Sequence, residues 1–255
     1  MITDIQKASL LKRVAAGIFD GILLCILAVG FAWLLTSAMD YDGNSAKLLD
    51  SKRQYEQAYG VSFDITQEQY DALSEAERAN YDAASKACNA DPAVQQTFNL
   101  LYNIILLSIT FSILLAVAVL EFFIPLILKN GQTVGKKIFS IGLIRVDSVQ
   151  LTTLQLFVRS ILGKYTIELM IPVYLILMMF VGMPVGAIGV FIIGAIVLAQ
   201  IILLIVTPTN SMIHDKMAGT VAVDLASQMV FRTTQDLIAY KAKIHAEQAA
   251  RSNYK

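Results

Sequence analysis

The chain has 255 residues, of which 56% are hydrophobic and 16% are charged, and its mean hydropathy is +0.61. This composition is far more apolar than that of a soluble domain and predicts an integral membrane protein. The formal net charge is zero, so the composition gives no indication of nucleic-acid binding. Cys25 falls in an apolar segment, so we expect no disulfide framework between it and Cys88.

The first segment of the chain is residues 1–39, a short polar lead followed by an apolar helix. From Val14 to Ala38 there are 25 residues with Asp20 as the only charge, and about 20 apolar residues suffice to cross about 30 Å of hydrocarbon. We therefore expect a membrane span, preceded by a lead that lies along the membrane surface. The apolar run is too long for a cleaved signal peptide, so we expect it to be retained.

Asp20 is the residue in this span that requires an explanation. A carboxylate within the membrane costs about 2.5–3.5 kcal/mol on insertion scales. Arg13 lies seven residues earlier, nearly on the same helix face, but helical side chains lean toward the helix N-terminus. Arg13 is thus directed away from Asp20, and we expect the partner of Asp20 to come from elsewhere in the chain.

Residues 40–98 form an acidic insert with eleven acidic and five basic side chains and no long apolar run. The spacings from Thr66 to Gln69 and from Ser74 to Glu77 are typical of capping boxes, so we expect short helices outside the membrane. The tyrosines of the insert either pack within it or rest on lipid headgroups.

Residues 99–129 are predicted to form the second span, from about Leu100 to Leu128. It contains Glu121 near its far end, which we expect to be paired or to extend to the membrane interface. Residues 130–164 form a basic segment; from 129 to 164 there are six basic side chains and one acidic. Its pattern predicts a short strand or hairpin in Lys137–Asp147 and an amphipathic interfacial helix at Leu154–Leu162, with Thr153 as a possible cap.

Residues 165–207 are predicted to hold the third and fourth spans. The third, about Tyr165–Val181, carries Glu168, and a tight turn at Gly182–Gly186 leads to the fourth, about Ala187–Val206. Residues 208–255 form a C-terminal segment that ends in a polar helix. Basic segments mark the cytoplasmic side of a membrane, which predicts both termini inside the cell and the acidic insert outside.

The predicted fold class is therefore an all-α integral membrane protein. It has four transmembrane helices, a cytoplasmic interfacial segment with a strand and a helix, and an extracytoplasmic helical insert.

The sequence Gly131-Gln-Thr-Val-Gly135-Lys136-Lys137 resembles a phosphate-binding loop only superficially. It has three residues between its glycines instead of four, and a second lysine where the loop needs Ser or Thr. We interpret the glycines as the end of a helix before a strand, and the lysines as partners of lipid headgroups or carboxylates. No nucleophile and base pair or cluster of metal ligands is apparent, so we predict no enzyme, no cofactor and no metal site.

Three motifs occur in order: Arg13 with Asp20, GQTVGKKIFSIGLIRVD at 131–147, and HDKMAGTVAVD at 214–224. Together they resemble the RDD family of bacterial membrane proteins, named for an arginine and two aspartates, which correspond to Arg13, Asp20 and Asp215. The resemblance covers residues 8–39 and 99–225. It implies a multi-pass protein of the bacterial cell membrane.

The resemblance implies transport as the leading function, because some family members are credited with exchanging sodium or other monovalent cations for protons. The alternative is a non-transporting scaffold or assembly partner, because related domains assist assembly of membrane complexes. As a carrier, Asp20 would bind cation and proton in turn. Four helices leave little room for a pathway, so transport would imply a homodimer or larger assembly in the lipid bilayer. As a scaffold, Arg13, Asp20 and Asp215 would form a buried polar clasp.

Four further residues are possible secondary members of this site: Glu168, Glu121, Arg145 and Arg159. Convergence of Glu168 with Asp20 would favour a cation pathway. Because a buried carboxylate attracts a forked donor, we expect Arg145 or Arg159 to lie near Asp20 or Asp215.

Overall fold

A computed structural model describes residues 5–128, 130–168, 170 and 187–252. The chain divides into two compact units. Unit 1 comprises Met1–Ala28 together with Ile113–Lys255, and unit 2 comprises Val29–Ser112.

Within the described residues, two helices are long and apolar enough to cross a membrane: Leu10–Ala38 and the continuous helix Pro92–Leu128. The first, α1, exposes large apolar side chains such as Ile22 and Trp33. Water is an unfavourable surrounding for such a surface, whereas hydrocarbon is not. Its exposure therefore agrees with a helix that contacts lipid.

The second long helix contains the predicted span and extends beyond its N-terminal end. It begins at Pro92 instead of near Leu100, and consists of α5 (Pro92–Val117), a π-helical turn (Ala118–Phe123) and α6 (Ile124–Leu128). A π-turn widens the helix and changes the direction of its side chains, and such turns are frequent at functional sites. Glu121 lies in this turn and is buried.

Only part of the predicted third and fourth spans can be compared with the structure. Residues 171–181 of the third span, and the turn predicted at Gly182–Gly186, lie outside the described residues. Helix α9 (Ala187–Val206) has the bounds predicted for the fourth span. The number of spans stays a prediction.

The described residues are mostly helical, as expected, and the predicted strand belongs to a small antiparallel sheet. Strand β1 (Ile141–Arg145) lies within the segment predicted to hold a strand, but it does not form a local hairpin. Its partner is β2 (Thr220–Asp224), with Ile141 opposite Asp224 and Arg145 opposite Thr220. Both strands are buried at four of five positions, so their pairing also buries apolar surface.

The N-terminal lead packs on this sheet. The Ala8 amide donates to the Ala222 carbonyl at 3.1 Å, and the backbone of Lys7 pairs with that of Val223 in an antiparallel β-bridge. Ala8 is buried in a cluster with Ile141 and Leu143. The lead therefore continues the sheet beyond β2.

Further helices of unit 1 are α7 (Val134–Ile138), α8 (Thr153–Phe157), a second π-helical segment (Val158–Glu168), α10 (Ile213–Ala218) and the C-terminal α11 (Thr234–Ser252). Of these, α7 contacts β1 and α10 contacts β2.

The amphipathic helix predicted at Leu154–Leu162 is thus wrong in its form. It starts one residue earlier, capped by Thr152 in a capping box with Gln155. It then widens into the π-helical segment, which buries Arg159 and Ser160.

Unit 2 contains three helices of the acidic insert: α2 (Tyr41–Tyr59), α3 (Gln67–Asp71) and α4 (Glu75–Ala90). Both capping boxes expected at Thr66 and Ser74 are present.

Three tyrosines of the insert make contacts within unit 2. The rings of Tyr70 and Tyr81 pack edge to face at 5.2 Å, and the Tyr55 hydroxyl donates to Asp91 at 2.8 Å. These contacts favour packing over headgroup contact for these three side chains.

Candidate buried polar site

Asp20 is buried and bound by uncharged donors. The Thr133 hydroxyl donates to its Oδ2, and the Gly135 amide donates to its Oδ1 at 2.8 Å. Thr133 is the N-cap of α7, so the carboxylate lies at the N-terminal end of that helix. Its partners are therefore a hydroxyl and a backbone amide, both from outside α1, as expected of a partner from elsewhere in the chain.

Gly135 permits this approach because it has no side chain. A Cβ at this position would overlap the Ala16 carbonyl oxygen and would lie 2.9 Å from the Asp20 carboxyl carbon. The glycine that we interpreted as part of a helix end thus lies inside α7, where it lets α1 and α7 come into contact.

Asp215 is buried and has two arginine partners. Its Oδ1 accepts from Arg159 Nε at 3.0 Å and from Arg159 Nη2 at 2.8 Å. Its Oδ2 faces Arg13 Nη2 at 3.5 Å and accepts from the Met212 amide at 3.2 Å. The expectation that Arg145 or Arg159 lies near Asp20 or Asp215 is therefore met by Arg159 and Asp215.

His214 connects this pair to Glu168. Arg159 Nη2 lies 2.9 Å from His214 Nε2, and arginine can only donate, so Nε2 accepts. The proton of a neutral ring is then on Nδ1, which lies 2.7 Å from Glu168 Oε2. The His214 amide also donates to Glu168 at 2.6 Å. One buried chain thus runs from Asp215 through Arg159 and His214 to Glu168.

The electrostatics of α10 agree with these protonation states. Burial would raise the pKa of Asp215, but Arg159 and Arg13 outweigh it and hold that pKa well below its ordinary value. Burial and the neighbouring Arg159 lower the pKa of His214, although Glu168 and Asp215 oppose this effect. Asp215 is therefore ionised and His214 neutral at pH 7.

Glu121 lies between two ammonium groups. It accepts from Lys164 and lies 3.9 Å from Lys136 Nζ. Burial lowers the pKa of Lys136 to about 8, and Lys164 and Arg159 act in the same direction, whereas Glu121 and Asp20 raise it. One carboxylate is thus shared by two lysines.

A cavity of about 410 Å³ opens beside these groups within unit 1. Its charged lining consists of Arg13, Asp20, Glu121, Lys136, Arg159 and Lys164. The rest of the wall is largely apolar and comes mainly from α1, with Leu204 from α9. Among the described residues, Asp215 and Glu168 lie behind this lining and do not form part of it.

The structure thus brings together most of the residues singled out in the sequence. The exception is Arg145, which pairs with Asp147 at 2.8 Å and is partly exposed. Glu168 does not converge with Asp20 on the cavity, whereas Glu121 does. Among the residues that the structure describes, no group of three His, Cys, Asp or Glu side chains is arranged to hold a metal.

Sequence reasoning missed His214, Lys164, Thr133 and the role of Gly135. The position of His214 beside Asp215 is a signal, because neighbours in a short buried helix can enter the same network. The sequence gives a weaker signal for the pairing of Thr133 and Gly135 with Asp20. A backbone amide is present at almost every residue, so no residue type marks the one that donates.

Comparison with known proteins identifies a family. The model of the RDD family matches residues 7–219. No curated protein and no solved structure matches the chain.

Proposed function

Because the chain belongs to the RDD family, and its two long apolar helices indicate a membrane protein, we propose that it is a non-transporting membrane scaffold. In this proposal the buried polar site holds α1 to the sheet and to the short helices around it. Other proteins are bound by the acidic insert and the C-terminal helix.

The observation that carries this proposal is that each buried carboxylate of the site already has fixed donors. Asp215 has Arg159 and Arg13, Glu168 has His214, and Glu121 has two lysines. A carrier requires a carboxylate that exchanges its partners in each cycle, whereas breaking a buried ion pair costs about 3–5 kcal/mol. Fixed pairs of this kind favour a clasp.

Exchange of a monovalent cation for protons is the second candidate, favoured by Asp20 alone. Its two donors, Thr133 and Gly135, carry no charge, and Asp20 lines the cavity together with Glu121. Against it, four cationic side chains line the same cavity and would repel an entering cation.

A flux measurement separates the two candidates. Purified protein is reconstituted in vesicles that contain a pH-sensitive dye, and gradients of lithium, sodium and potassium are applied in turn. The scaffold predicts no proton movement above that of empty vesicles. Movement driven by any of these cations, and lost in the Asp20→Asn variant, would support the carrier and contradict the scaffold.

The scaffold also makes a positive prediction in native membranes. A photo-crosslinking residue placed at Leu49, an exposed apolar position on α2, is expected to give one discrete adduct. The control is the same residue at Lys86, an exposed polar position on α4, which is expected to give no adduct of that mass. Failure of the Leu49 variant to form an adduct would contradict partner binding by this helix.

A further inference from the structure

The lining of the unit 1 cavity includes two chemically different groups of side chains. Apolar side chains of α1 and α9, among them Leu10, Val14 and Leu204, form an apolar wall. Lys136 and Lys164, which both contact Glu121, form what we call the basic end. A ligand that satisfies both groups needs an anionic group and an alkyl chain.

The basic end has more donors than anions. Glu121 is the one described carboxylate that both lysines contact, and each ammonium has three N–H groups. The further contact of Lys136 is a hydrogen bond of 3.3 Å to the Thr133 hydroxyl. A second anion at this end would thus find donors that Glu121 does not use.

The apolar wall is open where α1 has glycines. Gly17 and Gly21 line the cavity four residues apart, hence on one face of the helix. A Cβ built on either would meet nothing within 4 Å. The volume of about 410 Å³ falls in the range of small-molecule pockets, so it suits a headgroup and the first part of an acyl chain.

We propose that this cavity binds one anionic phospholipid, with its phosphate at Lys136 and Lys164 and an acyl chain along Gly17 and Gly21 of α1. Inorganic phosphate would leave the apolar wall uncovered. A free cation would meet two ammonium groups at the basic end. The site is independent of the proposed scaffold function, because bound lipid neither requires nor excludes a protein partner.

The test measures lipid retained by the purified full-length chain in native mass spectrometry. Phosphatidylglycerol and phosphatidylcholine with identical acyl chains are added in equal amounts. We expect one phosphatidylglycerol to be retained about tenfold more than phosphatidylcholine. Equal retention of the two lipids would overturn the proposal.

Two leucine substitutions test the position of the site. Gly21→Leu fills the cavity, and phosphatidylglycerol retention is expected to fall about tenfold. Gly30→Leu is the matched control, since Gly30 lies in the same helix with open space around it and does not line the cavity. Unchanged retention in Gly21→Leu, or equal loss in Gly30→Leu, would overturn the proposal.

A substitution at the proposed phosphate-binding lysines keeps the test decisive if Gly21→Leu does not fold. Lys164→Gln removes one ammonium and leaves Lys136 beside Glu121, so selectivity for phosphatidylglycerol is expected to disappear while the protein stays folded. Retained selectivity would overturn the proposal.

Competition by inorganic phosphate or by sodium chloride at equal ionic strength identifies the alternatives. Phosphate displacing the lipid would indicate a free-anion site, and displacement by sodium beyond a potassium control would indicate a cation site.

Discussion

His214 has one defined hydrogen-bonding state, because each ring nitrogen has a different kind of partner. Arg159 can only donate to Nε2, and the Glu168 carboxylate accepts from Nδ1–H. A second proton on the ring would remove the acceptor of Arg159 and place two cations in contact. The ring is therefore held neutral by its surroundings and not only by burial.

This arrangement predicts a pH dependence of stability. The pKa of His214 in the folded protein lies below the ordinary 6.5, so on acidification the unfolded chain takes up the proton first. The free energy of unfolding should fall as the pH drops through 6.5. The groups that face the ring are Glu168, Arg159 and Asp215.

The measurement is the melting temperature in detergent from pH 7.5 to pH 5.5, for the wild type and for His214→Gln. The variant is expected to lose the decline that the wild type shows below pH 6.5. His245→Gln is the control, since that histidine lies exposed on α11, and the decline should persist. An identical decline in His214→Gln would contradict the assignment.

The second prediction for a single residue concerns the stability of a Gly135 variant. Gly135→Ala places a methyl group against the Ala16 carbonyl and the Asp20 carboxyl, and overpacking of this kind costs about 1–3 kcal/mol. The variant should melt at a lower temperature than the wild type. Gly21→Ala is the control, because a Cβ there meets open space. Equal melting temperatures for the two variants would refute the close contact of α1 and α7.

At the scale of elements, patterns within one segment were predicted better than contacts between segments. The capping boxes at Thr66 and Ser74 and the helix Ala187–Val206 follow from local sequence. The partner of β1 does not, since β2 lies about 75 residues further along the chain and an antiparallel pair has no signal other than two apolar runs.

The donors of Asp20 could not be identified from the sequence for a related reason. A forked cation is the strongest donor for a buried carboxylate, so we expected Arg145 or Arg159 near Asp20 or Asp215, and Arg159 pairs with Asp215. At Asp20 the N-terminal end of α7 supplies a hydroxyl and an amide. The sequence identifies Asp20 as a residue that needs donors, but only the fold identifies which donors reach it.

The acidic insert gives a prediction at this scale. Its helices α2, α3 and α4 have their own caps and contacts within unit 2. Replacing residues 41–90 by a flexible linker should therefore leave a folded protein that inserts into membranes. Asp91 is kept because it accepts from the Ala93 amide at the start of α5.

The truncated protein is examined by size-exclusion chromatography in mild detergent and by membrane fractionation. A single symmetric peak and recovery from the membrane fraction are expected. Aggregation or degradation would show that the insert is required for folding of the rest of the chain.

At the scale of the whole molecule, the polar site connects segments that are distant in sequence. Asp215 of α10 contacts Arg13 of α1 and Arg159 of the second π-helical segment. Because these groups share partners, the effects of substitutions within the site should not add. The site thus acts as one unit that fixes α1 against the sheet region.

The two candidate functions depend most strongly on different aspartates, the scaffold on Asp215 and the carrier on Asp20. Asp215→Asn leaves Arg159 and Arg13 without their shared carboxylate, which should cost about 3–5 kcal/mol. Asp20→Asn keeps an acceptor for Thr133 or Gly135, so its cost should be only about 1–3 kcal/mol. A clasp is therefore most sensitive at Asp215, and a carrier at Asp20.

The most direct test measures melting temperature and cation-driven proton movement on the same preparations of the wild type, Asp215→Asn and Asp20→Asn. The clasp predicts a large loss of melting temperature in Asp215→Asn, a smaller loss in Asp20→Asn, and no proton movement in any of the three. Proton movement in the wild type that Asp20→Asn abolishes at nearly unchanged melting temperature would contradict it.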